Sequence, residues 1–419
     1  MMDSRRLAIF LALSLAPGIT FGRIMWHAYP GDLFAPNHQL VVSDYLNIWA
    51  GGHLAWEGRL DVVFNPHAYA DWLWSVFGTR LDLHSWGYPP PMLFLAIPFA
   101  WLPLVPGFLA WVAATSALLW IVLRAAGLPP AYAFAAVLSP AALENALIGQ
   151  NGALTTAALA GGLLLSPRRQ ILAGALLGLL ALKPQLGLLV PICLLARRDW
   201  RTILWTAIFG TAYCAAGLAV FGWQAWRDYL TIAGPFMRKY IDAPFGLAAH
   251  YIMVPPFITM RAAGASLAWS YGVQAIVTVL CAALAWWSWS RRHIDHRLPV
   301  AFVLCLAPLS TPYAHAYDLI GVAVACALMV QIVRETGDPQ STENLLLVPA
   351  WLWPGCALTI GLLLVPGLGA FCVASAAVLA VRHIRRAESG PAAGRIDALP
   401  GQPAVMPRAG VAATPTRSP

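Results

Sequence analysis

Five ionisable side chains stand in apolar or aromatic surroundings: Asp44 in SDYLNIW, Glu144 in AALENALIG, Lys183 in LALKPQL, and His315 and Asp318 in TPYAHAYDL. A carboxylate so placed is a candidate proton acceptor, and a lysine offers a compact point charge suited to phosphate. Gln150 and Asn151 in IGQNG, Tyr88 in GYPPP, and Arg238 and Lys239 in GPFMRKYIDAPFG add polar and cationic groups. Each also has a plainer reading. Asp44, preceded by Ser43, fits a helix N-cap. Lys183 fits a snorkelling or carbonyl-paired lysine. Gln150 and Asn151 fit the caps of two helices in a tight turn, and His315 a buried hydrogen-bonding ring. Glu144 and Asp318 fit pairing with backbone donors or with a cation.

These residues are scattered over 275 positions, so their meeting depends on the elements that carry them. Of 419 residues, 59% are hydrophobic and only 11% charged, with 19 tryptophans and a mean hydropathy of +0.67. That composition belongs to a membrane protein rather than to one soluble core. A crossing needs about 20 mostly apolar residues. Runs of that kind occur at 7–26, 106–123, 131–147, 152–166, 202–221, 270–290, 298–312, 316–333, 344–364 and 366–382, with two short halves at 170–182 and 184–196. The expectation is an all-α polytopic protein with about ten to twelve crossings. The first run is long and has no clear small-x-small cleavage site, so it reads as a retained helix.

Arginine collects at 5/6, 168/169, 197/198/201, 291/292/297 and 382/385/386. Short cytoplasmic loops are enriched in such residues. All five clusters share one side if both termini are inside. Residues 27–105 then form an outer loop, and the proline-broken stretch 89–106 lies along the outer interface or re-enters. The same topology gathers Asp44, Tyr88, Gln150 and Asn151, the KPQ break, and the 310–319 turn on the outer side. Glu144, Lys183 and Asp318 are ionisable groups at membrane depth, which are expensive and usually face a cavity. A polar pocket at the outer membrane boundary is the outcome expected.

Several functions are excluded or disfavoured. The net charge of +8 is mostly topology signal, with no solvated basic face for nucleic acid. The chain has no P-loop, no H-E-x-x-H, no G-x-S-x-G and no Asp-x-Asp. Seven cysteines within apolar segments, without a C-x-x-C, read as small core residues. His293 and His296 read as solvated loop residues. The outer histidines 27, 38, 53, 67 and 84 are too irregularly spaced for a metal site, so neither metal nor cofactor is expected. Residues 1–385 make one transmembrane domain, and 386–419, rich in Pro, Gly, Ala, Ser and Arg, a disordered cytoplasmic tail.

SDYLNIWAGGHLAWEGRLDVVFNP, YPPP, GQNG, LLALKPQLGLLVP followed by RRDWR, and TPYAHAYDL, in that order, resemble glycosyltransferase family 87, membrane enzymes of the GT-C type related to polyprenyl-phosphate-mannose-dependent mannosyltransferases. The resemblance runs from the first helix to about Leu328. It implies transfer of mannose or another hexose from a polyprenyl phosphate to a hydroxyl of a lipid or glycan acceptor. It further implies inversion at the anomeric centre without a metal, on the outer face of the cytoplasmic membrane. The family's essential aspartate corresponds to Asp44, the expected general base. Such a transfer needs a base for the acceptor hydroxyl and donors or cations for the departing phosphate. Lys183, His315, Arg238 and Lys239 are candidates for the phosphate, with Asp318, Gln150, Asn151, Glu144 and Tyr88 as further substrate contacts. Two rivals remain. A transporter would show an internal repeat and paired broken helices, whereas only Lys183–Pro184 breaks a helix here; a lipid-binding scaffold would not depend on Asp44.

Overall fold

The structure, a computed structural model, describes residues 44–78, 81, 84–337, 341–363 and 365–389. The first expected helix at 7–26 lies outside the described residues; of the tail expected from 386, residues 386–389 instead continue the Gly369–Ser389 helix, and those from 390 onward lie outside the described residues. The described chain is helical throughout, with no β-strand and one isolated antiparallel bridge, Met253 to His315.

Five described helices are long and apolar enough to cross a membrane: Leu104–Ala125, Trp200–Asp242, Leu267–Trp289, Ala316–Thr336 and Glu343–Leu363. Pro130–Val137 and Pro140–Ile148, bent by 48° at their junction, make a sixth if taken as one span. Four of the remaining expected runs are shorter apolar helices, Gly152–Leu165, Gln170–Leu182, Pro184–Arg197 and Arg297–Leu309, as is Pro90–Ala100 within the stretch expected at the interface, while 366–382 falls in the 21-residue helix Gly369–Ser389. Local chemistry explains the shortening. Ser139 caps the Pro140–Ile148 helix through Ala142 N, and Pro140 occupies its first turn, where no N–H is needed. Gly149, at φ +72°, ends that helix in the left-handed region that glycine adopts without strain. Pro184 disfavours helical backbone at the preceding residue, and Lys183 leaves the helix at φ −144°, ψ 66°.

The helices differ in what surrounds them. In Ala316–Thr336, 94% of the most apolar window is buried, against 6% in Trp200–Asp242. The first is therefore the central helix, and the second presents Leu204, Ile208, Leu218, Val220 and Trp223 outward, where lipid tails suit them. Two large hydrophobic clusters result, with a third, small one around Met253, Phe257 and Ile258. The largest surrounds the Arg297–Leu309 and Ala316–Thr336 helices. The second joins Tyr45, Leu46, Phe64, Tyr69, Trp86, Leu93 and Trp111, so the segment after Asp44 packs as a folded layer over the helix ends. Within that layer, the Pro90–Ala100 helix packs along the Tyr45–Trp56 helix rather than standing as a long span.

Candidate functional site

Asp44 stands at the N-cap position of the Tyr45–Trp56 helix, yet its side chain makes no cap hydrogen bond. Its Oδ2 instead accepts from Gln150 Nε2 at 2.9 Å. The amide is held from both ends, because Tyr88 OH and Asn151 N donate to Gln150 Oε1 at 3.1 and 3.2 Å. A Gln side chain gripped this way has one orientation, and it aims its NH2 at Asp44. Burial pushes the Asp44 carboxyl above its ordinary value, opposed by the Gln150 hydrogen bond and then by the Lys183 charge.

The GQNG turn owes its shape to Asn145 and Gly152. Asn145 Oδ1 accepts from Gly152 N at 2.6 Å, and Asn145 O accepts from Gln150 N at 3.0 Å. A Cβ on Gly152 would sit 2.3 Å from Tyr317 O, so only glycine allows this turn to meet the 310–319 segment.

Lys183 and Asp318 form a buried ion pair, Nζ to Oδ1 at 2.5 Å, with side-chain exposures of 4% and 0%. Nζ also donates to Asn151 Oδ1 at 3.4 Å and lies over the Tyr317 ring at 5.3 Å. An ammonium has three N–H groups, so two protein acceptors leave one. Asp318 Oδ2 accepts from His315 N at 3.1 Å, closing the turn on itself. The backbone there is fixed from outside as well, by Val254 N to Ala314 O at 3.0 Å and Ala316 N to Ile252 O at 2.9 Å. The His315 ring stacks on Tyr317 at 5.0 Å between centroids. Burial lowers its pKa to about 4, with Lys183 and His250 adding to that and Asp318 opposing it. His315 is therefore neutral near pH 7 and offers a hydrogen bond rather than a charge; its Nδ1 is buried without a partner.

These groups surround a cavity of about 1050 Å³. Asp44, Tyr88, Glu144, Gln150, Lys183 and His315 line it, and Asn151 and Asp318 reach it through their bonds to Lys183. Arg238 and Lys239 are not brought to it. Their helix, Gly234–Asp242, turns Phe236, Met237 and Tyr240 to the cavity, while Arg238 and Lys239 line a separate outer hollow. Arg238 there pairs with Asp242 at 3.7 Å and lies over the Tyr271 ring. Helical periodicity is the cause, since neighbouring positions face different ways.

Three contributions were not legible in sequence. Asn145 shapes the GQNG turn, Phe236, Met237 and Tyr240 cover the cavity, and Pro354–Ile360 form one of its walls. The last is an apolar run like any other, and only packing shows which face it turns inward. On the opposite end of the helices, His296 is not a solvated loop residue. Its Nε2 lies 2.9 Å from Leu163 O and its Nδ1 2.8 Å from Arg197, while His293 is exposed. Among the described residues no group of three His, Cys, Asp or Glu side chains could hold a metal ion.

No curated protein and no solved structure matches the chain. Against models of protein families, residues 86–312 match glycosyltransferase family 87. The match contains Tyr88, Glu144, Gln150, Asn151 and Lys183, while Asp44, His315 and Asp318 lie outside it and join them only in the fold. With more than half of its length matched, an all-helical membrane architecture and a polar cavity at the helix ends, the chain belongs to glycosyltransferase family 87 and is a membrane glycosyltransferase.

Proposed function

We infer that the protein transfers a hexosyl group, mannose or a close relative, from a polyprenyl-phosphate donor to a hydroxyl of a lipid or glycan acceptor, with inversion. The observation that carries this reading is a carboxylate and an ammonium in one cavity with separate partners. Asp44 is bonded to Gln150, not to the Lys183 charge, so it is free to take a proton. In the step, the acceptor hydroxyl oxygen bonds to the anomeric carbon as its proton passes to an Asp44 oxygen. The bond from that carbon to the phosphate oxygen breaks, and the electron pair leaves with the polyprenyl phosphate.

Phosphate is already a good leaving group and needs donors rather than a second acid. Lys183, with one N–H beyond its two protein acceptors, and the neutral His315 ring supply them. The apolar faces of the surrounding helices suit the prenyl chain. The arginine clusters favour placing the cavity on the outer face of the cytoplasmic membrane.

The test is transfer of radiolabelled sugar from a panel of polyprenyl-phosphate sugars to a membrane acceptor extract, by purified wild type and by Asp44→Asn. Transfer by the wild type, lost in the variant while donor still binds, supports the reading. Equal transfer by both proteins removes Asp44 from the chemistry.

A further inference from the structure

Glu144 is an acidic side chain of the cavity whose chemistry the transfer step leaves unused. It lies on the Pro140–Ile148 helix, where Pro140, Glu144, Leu147 and Ile148 line the cavity at helical spacing. Facing that helix is the Pro354–Ile360 wall, which carries no Asp, Glu, Lys, Arg or His. Glu144 is thus the lone ionisable group between two largely apolar walls. Among the described residues it makes no hydrogen bond or ion pair, and its Oε2 is shielded from solvent without a donor. A buried oxygen left without a donor costs roughly 1–3 kcal/mol, so such a group in a binding cavity points to a ligand that supplies one.

The group that fits an unpaired carboxyl oxygen is a hydroxyl, which donates to a carboxylate and accepts from a protonated carboxyl. A phosphate oxygen accepts and would be repelled by a carboxylate, so the phosphate belongs at the Lys183 end. A sugar hydroxyl donates. Glu144 stands within electrostatic range of both the Asp318 and Asp44 carboxylates. The transferred ring is the part of the substrates that joins those two places, because its anomeric carbon is bonded to phosphate on one side and attacked by the acceptor on the other.

We propose that Glu144 is a sugar-specificity residue, accepting a hydrogen bond from a ring hydroxyl of the hexose being transferred. The inference rests on the lipid-phosphate donor reading and adds to it a residue that tells one hexose from another. A site built to bond a hydroxyl rejects the analogue that lacks it, because its polar group is left unpaired.

The experiment compares kcat/KM of wild type, Glu144→Gln and Glu144→Ala on the preferred polyprenyl-phosphate hexose and on its monodeoxy analogues. The wild type should disfavour one analogue by on the order of tenfold or more. In Glu144→Ala that ratio should fall towards one, because transfer of the parent sugar drops while that of the analogue does not, and discrimination at the other hydroxyls should persist. Glu144→Gln keeps the shape of the side chain, and with it the fold, and should erode the same ratio by a smaller factor. If both variants slow the parent sugar and every analogue by one common factor, or leave all the ratios as in the wild type, Glu144 does not read a hydroxyl. Absence of transfer by the wild type from every lipid-phosphate donor is a different failure, which overturns the donor reading and this inference with it.

Discussion

Two ends of the helices hold cation–carboxylate contacts of nearly equal length in opposite surroundings. At the cavity, Lys183 meets Asp318 at 2.5 Å with side-chain exposures of 4% and 0%. At the arginine-rich end, Arg297 meets Glu335 at 2.5 Å and Asp295 at 2.6 Å, with 27%, 48% and 37% of those side chains exposed. Arg291 with Glu388 and Arg386 with Glu343 at 2.8 Å extend the same solvated pattern. Water at that end substitutes for any partner that is lost. Around the buried pair nothing does, so each of its two charges depends on the other. The same residue types hold position at one end and are available for chemistry at the other.

The largest break in this comparison is Asp44→Asn. Removing a general base should lower transfer by roughly 10²–10⁴-fold in single-turnover assays, with thermal unfolding in detergent little changed. Next is the buried pair. Asp318→Asn alone leaves Lys183 with an uncompensated buried charge and should cost about 3–5 kcal/mol, read as a lowered midpoint in the same unfolding assay. Lys183→Met combined with Asp318→Leu should recover much of that stability without recovering transfer, separating the structural part of the pair from its part in phosphate binding.

Gly152→Ala puts a Cβ 2.3 Å from Tyr317 O and should destabilise by about 1–3 kcal/mol, while also moving Gln150 off Asp44. A smaller effect tests the grip on the base itself. Asp44 works deprotonated, so transfer is lost as pH falls through its pKa, which burial has raised. Gln150→Leu removes the hydrogen bond that opposes the rise, so the acid limb of kcat/KM should move to higher pH; an unmoved limb would separate Gln150 from Asp44. The smallest effect belongs to the other end, where Arg297→Ala should cost no more than about 0.2–1 kcal/mol and leave transfer intact.

Much of the candidate site was legible as residue types and little of it as relations. Asp44 stood out as a carboxylate among aromatics, and the structure shows why the N-cap alternative does not hold: its oxygen bonds Gln150, 106 positions away. Gln150 and Asn151 looked like turn caps. Asn151 does stand at the N-cap of the Gly152–Thr156 helix, but the two side chains divide the site, one amide bonded to Asp44 and the other to Lys183. Arg238 and Lys239 resembled phosphate ligands by charge and loop position, yet the helical phase of Gly234–Asp242 gives the cavity Phe236, Met237 and Tyr240. Charge is a property of a residue, whereas direction belongs to the element that carries it.

The sequence by itself determined the class: apolar runs, proline and glycine breaks and arginine clusters specify a helical membrane protein, because lipid leaves backbone groups no partner but their own helix. It also determined which side chains were too costly to be idle there. Only the tertiary structure decided which of them meet. The partners of Asp44 and of Lys183 are 106 and 135 positions away, and the phase and crossing of packed helices bring them together. No periodicity within a single segment carries that information.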